Sequence, residues 1–318
     1  MHNFRLAHFS DIHMPPMPKP TLLELTGIRI LGMSSWQISR KKIHKLQVLS
    51  AFEKDIKAQD IDHYAFSGDL VNIASRAEMR RATAWMKAFA PADKMSYVPG
   101  NHDAYTEDSI ANVLHYWKDY MLSCNQGAQI LTELNIKLSD EVPYGPFPYL
   151  RIFGRVALVG TNSGVASPPF MATGELGIGQ RNRLARILAY LKKEGYYRVV
   201  MIHHPPLPRM TPNVRALKDC ADLREILTDE GAELVLYGHN HKNKITNISN
   251  KYGPSLMIGI ASASAIATSH KPAASYNQIL IDQSKKGWQV NLLKREYIEA
   301  HGAFEETEVT PLGFWHMT

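Results

Sequence analysis

Residues 94–103 read Lys94-Met95-Ser96-Tyr97-Val98-Pro99-Gly100-Asn101-His102-Asp103, a short apolar run that breaks at a glycine and opens onto an amide, an imidazole and a carboxylate. The arrangement recurs at four other places. Asp11-Ile12-His13 follows a candidate strand over 5–10, and Gly68-Asp69-Leu70-Val71-Asn72 follows one over 63–67. His203-His204-Pro205-Pro206 follows 198–202, and Gly238-His239-Asn240-His241 follows 233–237. In α/β sheets, ligand-binding residues lie outside the carboxyl ends of the strands. The pattern therefore predicts that five strands deliver polar groups to one sheet edge.

Those ends offer carboxylates at Asp11 and Asp69, an amide oxygen at Asn101, and imidazoles at His13, His203, His239 and His241. Mixed oxygen and nitrogen donors suit transition metals better than Ca²⁺, which takes oxygen alone. No thiolate is among them, which argues against a structural zinc site. Seven donors are too many for one first-row ion and suit two ions sharing a bridge. A single His at a strand end is usually a structural hydrogen-bonder; the joint occurrence is what points to metal. Glycines at 68, 100 and 238 are read as allowing sharp turns with unusual φ.

Helical patterns alternate with the strands. Helices are predicted over 40–58, 75–90, 107–124, 178–193 and 216–230. The fourth carries apolar residues at 184, 187, 188 and 191, a 3.6-residue period. Asn72 or Ser75, with Glu78 following, reads as a helix cap, and Ser75 with Glu78 as a capping box. Further strands are predicted over 155–161, 255–260, 278–282 and 289–293, the later ones following one another as an antiparallel meander. The chain reads as α/β, a sheet sandwich with helices outside. One domain spans 1–318, with an insertion at about 14–40.

The balance of 45% hydrophobic and 21% charged residues over 318 positions excludes a disordered or collagenous chain. Lys and Arg number 36 against 30 Asp and Glu, a net charge of +6. That permits a phosphate-bearing substrate without demanding nucleic acid. Two cysteines make no disulfide framework. No run reaches the roughly 18 apolar residues of a membrane span, and no cleavable leader pattern is present. The expectation is a cytoplasmic protein, with peripheral membrane contact left open and the oligomeric state unread.

The five motifs in their order, Asp-x-His, Gly-Asp, Gly-Asn-His-Asp, His-His-Pro and Gly-His-x-His, resemble the calcineurin-like metallophosphoesterase superfamily. The resemblance implies a four-layer αββα sandwich of two mixed sheets, with a dinuclear metal site at strand carboxyl ends. It implies Asp11, His13 and His241 on a first metal, Asn101, His203 and His239 on a second, and Asp69 bridging. It makes His102 a general acid or electrostatic stabiliser, with Asp103 bonding and orienting that imidazole. The metals implied are two divalent or trivalent transition-metal ions, Mn, Fe or Zn. Among branches, His203-His204-Pro205 and the helix bearing Gln180 are similar to bacterial cyclic-nucleotide phosphodiesterases.

Hydrolysis of a small phosphodiester, such as a cyclic nucleotide, through a metal-bridging hydroxide is the leading functional reading. A pyrophosphatase of lipid precursors, of the UDP-diacylglucosamine type, is the alternative, prompted by the apolar insertion. A DNA exonuclease is a second alternative; nucleic acid is not the expected partner, since no basic stripe with interleaved aromatics appears. The insertion has two readings, a lid over the site or a helical hairpin packed on the core. Asn72 and His204 are candidate substrate contacts, with capping and packing as their respective alternatives. His8 is read as structural, and His44, His63, His115 and His270 carry no functional reading. Arg40, Lys41 and Lys42 are read as a solvated face, and Arg181 as solvated rather than phosphate-binding. Residues 140–150 are read as irregular, and the aromatic tail at Phe304, Phe314 and Trp315 as docked on its own domain.

Overall fold

Apolar residues on the strands over 156–160, 197–201 and 234–237 alternate between two cores, which fixes the layering. In the computed structural model, which describes residues 2–25, 27–138 and 145–316, the strand Val156–Gly160 turns Val156 and Leu158 into one core and Ala157 and Val159 into the other. Tyr197–Met201 does the same with Val199 and Val200, and Leu234–Tyr237 with Leu234 and Val235. Period-two side chains buried on both faces require cover on both sides.

The elements run β1 His2–Phe9, α1 Ile28–Ser35, a π-helical turn Trp36–Arg40, α2 Lys41–Ile43, α3 Leu46–Lys57, β2 His63–Phe66, α4 Arg76–Phe89, β3 Met95–Tyr97, α5 Ser109–Trp117 and α6 Asn125–Glu133. Then come β4 Tyr149–Phe153, β5 Val156–Gly160, α7 Ile178–Lys193, β6 Tyr197–Met201, α8 Cys220–Asp229 and β7 Leu234–Tyr237. The chain closes with β8 Lys244–Asn250, β9 Gly253–Gly259, β10 Ser275–Ser284, β11 Gly287–Ile298 and β12 Ala303–His316.

Two six-stranded mixed sheets form, ordered β12-β11-β10-β1-β2-β3 and β4-β5-β6-β7-β9-β8. Phe52 on α3 and Met79 on α4 join the core shared with the first sheet, while Leu188 on α7 and Leu227 on α8 cover the second. β1, β2 and β3 are parallel neighbours, as are β5, β6 and β7. Their carboxyl ends therefore open on one edge, and the five motifs follow β1, β2, β3, β6 and β7 there.

Several boundaries differ from the sequence reading. The helix predicted over 40–58 breaks at His44 and Lys45, whose backbone is extended; His44 makes a bridge to Ala265 instead. The helix predicted over 107–124 ends at Trp117 in a tight turn over Lys118–Met121. The one predicted from 216 starts at Cys220, because Leu217 pairs with Gly174. Ser75, not Asn72, caps α4, with Glu78 closing the box. Of the stretch read as irregular, 140–144 lies outside the described residues, and Tyr149 opens β4. The aromatic tail is β12, paired with β11 along its length.

Candidate metal centre

The chain bends abruptly at each of these strand ends. Five of the seven candidate ligands have left-handed backbone: Asp11 (φ 55°), His13 (41°), Asp69 (57°), His239 (67°) and His241 (50°). A residue with a Cβ adopts this region at a cost, and such strain concentrates at functional sites. Of the three glycines singled out, Gly68 alone has positive φ (97°). Gly100 and Gly238 are needed for room, which corrects the conformational reading. A Cβ on Gly100 would strike the Asp69 carboxylate, and one on Gly238 would come within 2.5 Å of Asp11 Oδ2.

The turns bring all seven donors together. His241 Nε2 lies 3.1 Å from Asp11 Oδ1 and 3.3 Å from His13 Nε2. On the other side, His239 Nδ1 lies 2.9 Å from Asn101 Oδ1. Asp69 stands between these groups: its Oδ2 is 3.8 Å from His13 Nε2 and 3.3 Å from His203 Nε2. Its Oδ1 accepts the His102 backbone N–H at 2.8 Å. Burial opposes its charge, yet His203, His102 and His13 hold it well below the ordinary carboxylate range.

Three of the four candidate ligand imidazoles have one nitrogen committed to a backbone carbonyl. His13 Nδ1 donates to Val71 O (3.2 Å), His203 Nδ1 to Ser67 O (2.7 Å) and His239 Nε2 to Arg215 O (2.9 Å). Such bonds fix the tautomer and leave the other nitrogen basic, the usual support of metal-bound histidine. The freed His203 Nε2 and the Asp11 Oδ1 are buried without a hydrogen-bond partner, an arrangement that a cation would satisfy. The donors present fit two transition-metal ions sharing Asp69.

His44 was missed in the sequence. It is buried, its Nδ1 contacts Ser264 Oγ at 2.8 Å, and it forms a possible ligand group with His13 and His241. Arg40 also belongs here and not on a solvated face. Its Nη2 donates to His102 Nε2 at 2.6 Å, while His102 Nδ1 donates to Asn72 O at 2.6 Å. Burial and Arg40 push His102 down to about 3, so the ring is neutral.

Asp103 does not orient that ring. Its carboxylate accepts from the backbone N–H of Asp69 (2.8 Å), Leu70 (3.0 Å), Val71 (3.3 Å) and Gly100 (2.8 Å), and from Tyr97 Oη (2.6 Å). It ties the β2 turn to the β3 turn. His204 is fully buried against Ser163 Oγ (2.8 Å) and Ala172 O (3.3 Å), which is packing and not substrate contact. The Asn72 side chain is buried as well, with neither amide atom partnered. Arg181 pairs with Asp219 and Asp222 instead of facing solvent.

A cavity of about 290 Å³ stands over the donors, lined by Asp69, Asn101, His102, His239 and His241, with Arg40, His44, Arg215 and Lys271 around them. Layered sheets with this donor set at their parallel edge define a dinuclear metal-dependent phosphoester hydrolase. Residues 4–243 match the calcineurin-like phosphoesterase family, and the chain belongs to it. No curated protein matches the chain in sequence. A dimetal phosphatase from Danio rerio superposes with TM-score 0.62 at 11% identity, covering 99% of each chain. The purple acid phosphatase PPD1 of yellow lupin gives TM-score 0.57 at 12% identity, covering 98% of this chain and 54% of its own. The NAD nucleotidase of Haemophilus influenzae gives 0.50 at 12% identity, covering 96% of this chain and 54% of its own. This chain thus spans about half the length of the latter two. Among the described residues, no helix is long and apolar enough to cross a membrane.

Proposed function

We propose that the protein hydrolyses a small phosphodiester, of the size and kind of a cyclic nucleotide. The carrying observation is the pair of donor groups that meet at Asp69 Oδ2 on the floor of a 290 Å³ cavity. Asp11, His13 and His241 would hold one ion, Asn101, His203 and His239 the other, and Asp69 both. Manganese, iron and zinc all suit these donors. When bound, two such ions clamp the attacking and leaving oxygens and supply hydroxide at neutral pH. The chain's own part is to hold that geometry, with Asp103 locking the two turns. His102 stabilises the departing side through the Arg40 guanidinium that it grips at 2.6 Å. The cavity admits a small ester more readily than a duplex. Two unpaired cysteines agree with a cytoplasmic setting.

The test is release of nitrophenol from bis(p-nitrophenyl) phosphate with Mn²⁺, Fe²⁺, Co²⁺ or Zn²⁺, alongside metal content by mass spectrometry. Two ions per chain with turnover is the expected result; no turnover with any ion sinks the reading. Exposed Leu22 (87%), Leu23 (92%) and Ile38 (72%) in the insertion favour a second reading, a lipid-precursor pyrophosphatase. Deleting that segment would then abolish lipid turnover while sparing the small diester.

A further inference from the structure

The cavity is lined by three cations and one carboxylate, Asp69, among the described residues. Arg40, Arg215 and Lys271 come from three distant segments, and each segment is tied down. Ile266 N donates to Ile43 O at 3.0 Å, which joins the Arg40 wall to the Lys271 wall. Lys271 N donates to Thr268 Oγ1 and Thr268 N to Lys271 O, at 3.0 and 2.9 Å. Gly174 N and Ala172 N donate to Ala216 O and Val214 O on either side of Arg215, at 3.1 and 2.8 Å.

None of the three cations has a carboxylate partner among the described residues, whereas Arg181, Arg198, Lys218, Lys294 and Arg295 all do. Burial lowers the Lys271 ammonium below its ordinary range, and Arg40, Arg215 and Lys242 press it in the same direction against Asp11. Cations gathered round one cavity without a carboxylate in ion-pair contact make a field that concentrates anions. Guanidinium forks match phosphate and carboxylate in geometry. A simple diester brings one negative charge, which the floor of the site takes up.

We propose that the substrate carries a second anionic group, a phosphate or a carboxylate, received by Arg40, Arg215 and Lys271. This deepens the phosphodiesterase reading and rests on it for the identity of the scissile bond. The test separates the two. Calorimetric titration compares thymidine 5′-monophosphate, thymidine 3′,5′-bisphosphate and 3′-O-succinyl thymidine 5′-monophosphate as ligands. The purified protein should bind the bisphosphate, or both ligands that bear two anionic groups, at least about tenfold more tightly than the monophosphate. A gain with the bisphosphate alone assigns a phosphate; a gain with both assigns any anion.

Lys271→Met and Arg215→Gln should each shrink the preference to below about threefold, and Lys271→Arg should keep it. Melting curves identify any variant that has not folded. Equal binding of all three ligands, or a preference that survives both charge-removing variants, overturns the proposal. Turnover of thymidine 5′-(p-nitrophenyl phosphate), with and without a 3′-phosphate, is read separately. No nitrophenol from either ester, with the binding preference intact, removes the phosphodiesterase reading and leaves the anion recognition standing.

Discussion

The floor of the cavity and its rim are built by opposite rules. On the floor every candidate ligand is buried or nearly so, the backbone is left-handed at five of them, and glycines stand where no Cβ fits. On the rim, helix α1 buries only Gly32, and the insertion leaves Leu22, Leu23 and Ile38 in solvent. The floor tolerates no atom more and no charge less. The rim carries cations without a carboxylate partner and loose apolar surface, and it reaches the floor where Arg40 donates to His102. On the readings proposed above, the floor would hold the chemistry and the rim would set selectivity, with Arg40 joining the two.

The contrast is sharpest at Asp69, within 3.8 Å of imidazoles on both sides. Asp69→Asn should remove bound metal and lower kcat by on the order of 10³-fold, checked by metal analysis and nitrophenol release. Near-normal metal content would mean that Asp69 does not bridge. Next comes Gly100→Ala, where the new Cβ meets the Asp69 carboxylate. Overpacking at such a site should cost about 1–3 kcal/mol in urea unfolding, with activity falling alongside.

A pH test probes the same buried floor through His8, which bonds Ser67 Oγ at 3.0 Å. Burial lowers its pKa to about 3 against Asp11, which opposes the shift. Below its ordinary value of about 6.5 the unfolded chain takes a proton that the folded chain refuses. Stability should therefore fall with decreasing pH by about 1.4 kcal/mol per unit for this group, from about pH 6.5 towards 3. Urea unfolding of His8→Gln at pH 6.5 and 5 should show a shallower loss than the native chain. The smallest effect belongs to the rim: Leu22→Ser with Leu23→Ser should change stability by less than about 0.5 kcal/mol and leave small-ester turnover unaltered. A large loss would show that the insertion supports the floor.

Much of the floor was legible in the sequence, because each ligand motif directly follows an apolar strand. Helix α7, Ile178–Lys193, was legible end to end from the period of Leu184, Ile187, Leu188 and Leu191. What stayed hidden depends on partners far along the chain. His44 meets Ser264, and Arg40 meets His102, with no local pattern to announce either. The edge strands β8 and β12 were missed because their side chains are largely solvated and lack a buried face. Helix α6 was missed because Cys124, through Sγ, caps it in place of the usual serine or aspartate.

His239 donates its backbone N–H to Asp11 Oδ2 across 228 residues of chain. The group of Asp11, His13 and His241 cannot exist until strands from both ends of that span have met, and the group of Asn101, His203 and His239 needs β3 to meet β6 and β7. Contacts of such long range make folding slow, since loop closure precedes any gain from the contact. A chain emerging from synthesis presents only local pairs, Asp11 with His13 and His239 with His241, and not the seven donors together. The full donor set for two ions is thereby a property of the assembled sheet edges and of no single segment.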